Sequence, residues 1–176
     1  RGLNVSTACL GGIYSNRIMR GNAMKKSDEE IQQELMWLSE RFVDCVGEEN
    51  FYLELQFNRL KQQHLVNHHL LRHADQSSVK CIATPDSHYY SPDKWEAREL
   101  YKKLGWMGSK INEQMLPKKE DMKCMLYPKN AQQMWDEFKT GYDEYDFYKG
   151  HEENVRDAIN RTHDIAWQKC EDTWID

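Results

Sequence analysis

The stretch Val79-Lys80-Cys81-Ile82-Ala83-Thr84-Pro85-Asp86-Ser87-His88 decides the fold class of this chain. Its first half is apolar and β-branched, which is typical of a buried strand. Side chains alternate along a strand, so Asp86 and His88 are expected to point to the same side where the strand passes into a loop. A carboxylate beside an imidazole can bind Zn, Mn or Fe. The alternative is a turn Asp that caps the next helix, with a surface His beside it.

Strand-like and helix-like segments alternate along the sequence. The predicted strands are a run that ends at Cys9, Phe51 to Gln56, and Val79 to Thr84. Strands separated by amphipathic helices imply parallel β-α units with right-handed crossovers, and hence an α/β fold. If such units close into a barrel, the site lies at the carboxyl ends of the strands, where Cys9, Gln56, Asp86 and His88 fall.

The helix after Ser27 carries the clearest local signals. Ser27 and Glu30 form a capping-box pattern, and Gly47 is a typical helix stop. An apolar stripe lies between them: Ile31, Leu35, Leu38, Phe42 and Val46. Other helices are predicted from about 58 to 74, from Ser91 through Leu104 and over residues 154–170, whereas residues 105–121 are expected to form a loop.

Composition excludes several classes of protein. The 176 residues suit one domain, and 30% charged with 39% hydrophobic residues is ordinary for a cytoplasmic protein. A run of about 18 apolar residues is absent, so neither a membrane span nor a signal peptide is expected. Five scattered cysteines without a paired spacing predict reduced thiols. The net charge of −5 argues against direct binding of a nucleic-acid backbone by this segment.

A series of blocks in order resembles one known family. The chain has Cys9-Leu10-Gly11-Gly12, then Phe51-Tyr52-Leu53-Glu54-Leu55-Gln56, then Asp86-Ser87-His88. This series resembles the PHP (polymerase and histidinol phosphatase) domain of bacterial C-family DNA polymerases, the DNA polymerase III alpha subunits. Met125-Leu126-Tyr127-Pro128 resembles that family's short strand before a helix, and residues 154–170 resemble its closing helix.

The resemblance implies a fold and a metal site. The fold would be part of a distorted (β/α)7 barrel, and Cys9, Asp86 and His88 match metal-ligand positions. A divalent Zn, Mn or Fe ion would bind in the intact domain, and the parent polymerase would use Mg elsewhere. In some members the domain is a 3′–5′ proofreading exonuclease. In others it is a structural platform for a separate exonuclease subunit. Glu54 matches the family strand but is not assigned as a ligand.

The resemblance also implies that residues 1–176 are a single partial PHP domain. The family's amino-terminal ligands, including a His-x-His pair, have no counterpart here. The expected partners are the rest of a bacterial or phage polymerase chain, and DNA through its other domains. The fragment alone is expected to lack hydrolytic activity and to self-associate through unpaired strand edges. Two alternatives stay open: a stand-alone PHP phosphoesterase related to histidinol phosphatases, and a catalytically inactive interaction module.

Two further clusters invite a functional interpretation. The helix over residues 58–74 carries two histidine pairs at i,i+4 spacing, His64 with His68 and His69 with His73. The pairs form neighbouring rows rather than one four-ligand cage, so a metal site on this helix is not expected. The acidic, aromatic run from Tyr142 to Tyr148 fits either a partner-binding surface or a solvated loop, and we expect the loop.

Overall fold

The computed structural model describes residues 3–106 and 125–170. Its strands are β1 (Val5–Ser6), β2 (Phe51–Leu55) and β3 (Lys80–Ala83), which form one parallel sheet in the order β1-β2-β3. Val5 pairs with Phe51, and Tyr52 pairs with Lys80. The predicted α/β class with parallel strands is confirmed. The described residues form an open sheet, so the predicted barrel is not confirmed.

Six α-helices surround the sheet within the described ranges. The helices α1 (Ile13–Ala23) and α2 (Asp28–Val46) lie between β1 and β2, and α3 (Lys61–Gln76) connects β2 to β3. They are followed by α4 (Trp95–Trp106), α5 (Ala131–Glu144) and α6 (Glu152–Asp164), and the last continues into a π-helical turn, Ile165–Lys169. Across the part of the chain that is described, every helix is too short or too polar to span a bilayer.

The helix α2 forms as its sequence predicts. The Ser27 hydroxyl accepts a hydrogen bond from the Glu30 N–H at 3.2 Å, and the Ser27 N–H donates to the Glu30 carboxylate at 2.8 Å. Gly47 ends the helix with φ of 89°, a backbone conformation that side chains disfavour. Ile31, Leu35 and Leu38 are buried on one face. The capping box and the apolar stripe are therefore both confirmed.

One face of the sheet packs against the hydrophobic core. Phe51, Leu53 and Leu55 alternate along β2 and are fully buried. They belong to a cluster with residues of α1, α2, α3, α5 and α6, among them Tyr14, Leu35, Leu70, Phe138 and Val155. Burial of this much apolar surface is the main favourable term in folding. The sheet and its helices are thus held together mainly from this face.

The helix α6 covers the outer edge of β3. The Thr162 hydroxyl accepts from the Ala83 N–H at 3.3 Å and donates to the Ala83 carbonyl at 2.8 Å. Arg161 donates to the Cys81 carbonyl at 2.5 Å. Edge groups that would otherwise template pairing with another chain are therefore satisfied. The expected self-association stays a prediction; β1 is the other end strand of the described sheet.

Several expectations about local structure are wrong in detail. The first strand ends at Ser6 rather than Cys9, and α1 was not expected after it. This helix starts at Gly12 without a side-chain cap, so the usual start signal is missing, although Tyr14 and Ile18 form a buried i,i+4 pair. Residues 125–127 form a turn, not the short strand that the resemblance implied.

The run from Tyr142 to Tyr148 is not a solvated loop. Its first half completes α5, and Asp146–Tyr148 forms a 3-10 turn. Tyr148 is fully buried and contacts the rings of Phe57 and Phe138. The alternation of acidic and aromatic residues concealed one core side chain among exposed ones. Most of the loop expected over residues 105–121 lies outside the described residues, although residues 105 and 106 end α4.

The closing helix is confirmed with a narrower core face than expected. Val155 and Ile159 are buried together with Ala158. The helical spacing of the sequence also predicts His163 and Ala166 on this core face, with Trp167 alongside, but these three side chains are exposed. The change to a π-helical turn at Ile165 accompanies this loss of contact with the core. The apolar stripe therefore overestimates the buried length of this helix.

Candidate functional site

The segments after the three strands meet at one edge of the sheet. All three strands are parallel, so the chain leaves each of them on the same side. The segment after β1 carries Cys9, and the segment after β3 carries Asp86 and His88. These are the three predicted metal ligands. We call this side of the sheet the carboxyl edge.

Asp86 and His88 lie against each other at the carboxyl edge. The Nε2 atom of His88 is 3.5 Å from Oδ2 of Asp86, and the two side chains are 42% and 24% exposed. Asp86 has φ of 48°, in the left-handed region. The His88 N–H donates to the Leu126 carbonyl at 2.8 Å, which attaches this loop to the turn before α5. The structure thus forms an accessible carboxylate and imidazole pair.

Cys9 lies in a tight turn after β1. Its thiol is free and half-buried, and its carbonyl accepts from the Gly12 N–H at 2.8 Å and from the Ser15 hydroxyl at 2.9 Å. A Cβ atom on Gly12 would lie 2.3 Å from the Thr7 carbonyl oxygen, so only glycine fits there. Ala8 has φ of 60°, which costs an L-residue roughly 1 kcal/mol. The turn is therefore held in an unusual conformation.

The three predicted ligands share an edge but do not form a closed group. The strand β2 separates β1 from β3, so the segments that carry Cys9 and Asp86 start roughly 10 Å apart. Within residues 3–106 and 125–170, no three His, Cys, Asp or Glu side chains are close enough together to hold a metal ion. The pairing of Asp86 with His88 is observed, and the metal site itself stays a prediction.

Glu54 connects all three strands at the carboxyl edge. Its Oε2 atom accepts from the Ser6 hydroxyl at 2.5 Å, and its Oε1 atom accepts from the Thr84 hydroxyl at 2.6 Å and from the Gln56 amide at 2.9 Å. The Glu54 N–H donates to the Thr7 hydroxyl at 2.8 Å. Short hydroxyl–carboxylate bonds of this kind are about twice as strong as neutral ones. We call these side chains the Glu54 cluster.

Sequence reasoning left Glu54 without a role. It is the only charged residue between Phe51 and Asn58, and it lies inside a strand whose other side chains are buried. A carboxylate rarely enters such a strand unless it is hydrogen-bonded there. That contrast was the available signal. The sequence could not show the hydrogen-bond partners, because Ser6 and Thr84 lie 48 and 30 residues away from Glu54.

Three of the four histidines of α3, His64, His69 and His73, are buried in the core. His64 pairs with the Tyr148 hydroxyl at 2.8 Å, and His73 pairs with the Ser39 hydroxyl at 2.7 Å. Burial lowers the pKa of His64 and His69, and it lowers the pKa of His73 to about 4. These rings are therefore neutral at pH 7 and are closed off from solvent.

No family model matches this chain. It is similar to proteins named DNA polymerase III subunit alpha. It is 26% identical over 171 residues to that of Borreliella burgdorferi, an alignment that covers 97% of this chain and 12% of the relative. It is 27% identical over 176 residues to that of Campylobacter jejuni, covering 96% of this chain and 13% of the relative.

Sequence identity is higher over a shorter alignment. Over 94 residues the chain is 37% identical to the DNA polymerase III subunit alpha of Aquifex aeolicus, which covers 52% of this chain and 7% of that protein. The chain therefore spans only 7–13% of the length of these relatives. The similarity covers most of the chain, but it covers a small part of each polymerase subunit.

Proposed function

We propose that this chain is a segment of a replicative DNA polymerase III alpha subunit and forms part of a PHP domain. The observation that carries the proposal is the similarity to that subunit across 97% of the chain. The ordered blocks at Cys9, Phe51–Leu55 and Asp86 support the PHP assignment, and two of them follow within three residues of the ends of β1 and β3. The parent protein would copy DNA in the cytoplasm of a bacterium or of a phage-infected cell.

The carboxyl edge is the proposed metal site. Cys9, Asp86 and His88 would supply a thiolate, a carboxylate and an imidazole, a donor set that suits Zn, Mn or Fe. The chain's own geometry supports part of this set, because Asp86 and His88 already face each other at 3.5 Å. Bound metal ions of this kind activate water and stabilise charge on a phosphodiester. Proofreading 3′–5′ hydrolysis would follow if the remaining ligands come from the rest of the domain.

The proposed partners belong to the parent protein. DNA would contact other domains, because the net charge of −5 gives this segment no general attraction for phosphates. The polymerase reaction and its Mg ions would also lie in those domains. A separate exonuclease subunit is the proposed partner if the metal site has lost its activity.

Sequencing the gene on both sides of this coding segment tests the assignment. A polymerase subunit requires a reading frame that continues far beyond Asp176, and a His-x-His motif upstream of Arg1 would complete the ligand set. A reading frame that stops close to Asp176 would contradict the polymerase assignment and favour a small phosphoesterase. An upstream segment without the His-x-His motif would favour an inactive platform.

Metal content tests the site directly. After dialysis against Zn²⁺ or Mn²⁺ and removal of free metal, the 176-residue chain should retain less than one ion, and Cys9→Ser and His88→Ala should abolish that retention. Cys45→Ser is the matched control, because Cys45 is an exposed free thiol away from the carboxyl edge. Equal metal retention in all variants would refute the assignment.

The chain by itself is expected to be inactive. A catalytic metal centre must hold its ion with several ligands and keep an open position for water. Three side chains supply too few ligands for a multinuclear site. Purified protein with added Mn²⁺ or Zn²⁺ should therefore release no nucleotides from single-stranded DNA. Turnover that disappears in His88→Ala would overturn this expectation and reveal a more complete site.

A further inference from the structure

The helix α4 exposes its apolar side chains to solvent. Four of them recur at helical spacing and form one stripe, namely Ala97, Leu100, Tyr101 and Leu104. The last three are 60%, 76% and 59% exposed. Over residues 95–104, the part of α4 whose side chains the structure describes, none is buried. We call these four side chains the α4 stripe.

The charged side chains on the opposite face of α4 are largely shielded from solvent. Arg98, Glu99 and Lys102 are 19%, 20% and 16% exposed. Oε1 of Glu99 is 2.8 Å from Nζ of Lys102 and 3.5 Å from Nη1 of Arg98. A surface helix ordinarily buries its apolar stripe and exposes its charges, because shielding a charge from water is costly. Across residues 95–104 this order is reversed, which marks the α4 stripe as a face that another element covers.

The size of the α4 stripe argues against a second copy of this chain as its cover. Exposed apolar patches bordered by polar residues mark interaction surfaces. A face of four side chains is small against the roughly 800 Å² that each partner of a stable dimer buries. A separate molecule would therefore bind it weakly. A segment of the same polypeptide binds more readily, because linkage gives it an effective concentration on the order of mM.

The length of the relatives supports a cover from the same polypeptide. This chain spans only 12–13% of the two relatives that align along nearly all of it. A parent subunit of that length has many further segments that could pack on α4. The covering segment is thus sought within the parent subunit.

We propose that the α4 stripe is the docking surface for another segment of the parent polymerase subunit. The inference rests on the proposed function, which makes this chain part of such a subunit. The covering segment presents apolar side chains to Leu100, Tyr101 and Leu104. Glu96 and Lys103 are exposed and lie along one border of the stripe. A basic side chain near Glu96 and an acidic one near Lys103 would therefore fix the direction in which the segment crosses α4.

Amide hydrogen exchange in α4 tests the docking when the 176-residue chain is compared with the complete parent subunit. Amides of residues 97–104 should exchange at least about tenfold more slowly in the parent, because burial of one leucine side chain supplies that factor. Amides of α2 should change less, since its apolar face is already covered in this chain. Equal exchange of residues 97–104 in the two proteins would overturn the proposal.

Paired substitutions identify the α4 stripe as the contact. Leu100→Gln with Leu104→Gln keeps good helix formers at exposed positions, so the urea midpoint of the 176-residue chain should not change. In the parent subunit the same pair should restore fast exchange at residues 97–104. Met24→Gln is the matched control, because Met24 is also 60% exposed but lies at the end of α1. Slow exchange that survives the paired substitution would overturn the role of the stripe.

Sedimentation and the gene sequence separate this proposal from its alternatives. Any self-association of the 176-residue chain should be unaffected by the paired substitution of Leu100 and Leu104. Dimers that the pair abolishes would overturn the proposal and make a second copy the occupant. A reading frame that stops close to Asp176 would refute the polymerase assignment itself. A continuing frame with equal exchange in both proteins would refute only the docking on α4.

Discussion

The two faces of the sheet differ in what their side chains do. On the face of Phe51, Leu53 and Leu55, each side chain is fully buried and packs against helices. On the opposite face, Ser6, Glu54 and Thr84 are half-buried, and the Ser6 and Thr84 hydroxyls each donate to the Glu54 carboxylate. Burial of apolar area stabilises the fold without direction, whereas hydrogen bonds to a carboxylate fix distances. The apolar face therefore maintains the fold, and the hydrogen bonds on the other face arrange the carboxyl edge.

The largest loss of stability is expected from a substitution on the apolar face of the sheet. Leu53→Ala should lower the free energy of unfolding by about 2–5 kcal/mol, because it leaves a cavity at a fully buried position of the central strand. Urea unfolding followed by circular dichroism measures it. The control is Leu100→Ala, at a leucine of α4 that is 60% exposed and should change stability by less than about 0.5 kcal/mol. Equal losses of stability in the two variants would contradict the assignment of Leu53 to the core and Leu100 to the surface.

Lowering the pH is expected to reduce the free energy of unfolding by a comparable amount, because α3 carries a buried histidine, His73. Burial lowers the pKa of His73 from 6.5 to about 4, so the unfolded chain binds a proton first as the pH falls. Stability is therefore constant above pH 6.5, falls between pH 6.5 and 4, and loses up to about 3 kcal/mol from this group. The lowered pKa of His64 and His69 acts in the same direction.

Measuring the free energy of unfolding of His73→Gln at several pH values checks the direction of this pH dependence. The variant should lose part of the decline between pH 6.5 and 4, whatever its stability at pH 8. His163→Gln, at an exposed histidine of α6, should keep the full decline. A variant at position 73 with the wild-type pH dependence would show that His73 is not the responsible group.

A smaller effect is expected at the edge of β3. Thr162→Val removes the hydroxyl that serves the N–H and carbonyl of Ala83, and should cost about 1–3 kcal/mol because both groups are part-buried. It should also increase self-association in sedimentation, since the strand edge is then free to pair. Thr140→Val is the control, because its exposed hydroxyl donates to the Asp136 carbonyl of the same helix. Identical sedimentation and stability in both variants would contradict the role of α6.

The smallest effect on stability is expected at the carboxyl edge itself. His88 is 42% exposed, and its side chain faces only the carboxylate of Asp86 among the contacts that the structure describes. His88→Ala should change the free energy of unfolding by less than about 0.5 kcal/mol. A loss of 2 kcal/mol or more would mean that this pair is structural, and it would weaken the comparison between the two faces.

Local sequence patterns were sufficient where neighbours in sequence make the structure. The capping box at Ser27, the stop at Gly47 and the buried strand at Phe51 all depend on residues within one element, and all are confirmed. They failed where no local signal exists: α1 begins without a side-chain cap, and Tyr148 is buried inside an acidic run. The histidines of α3 gave a metal-like spacing, yet their partners Ser39 and Tyr148 lie on other elements.

The sequence by itself determined the α/β class and the parallel direction of the strands, because periodicity and capping are local properties. Only the tertiary structure decided which side chains meet. It brings Asp86 to His88, keeps Cys9 on the far side of β2, and joins Ser6, Glu54 and Thr84 into one cluster. The physical reason is that a hydrogen bond acts over about 3 Å between atoms, whereas the residues it joins can be dozens of positions apart in the chain.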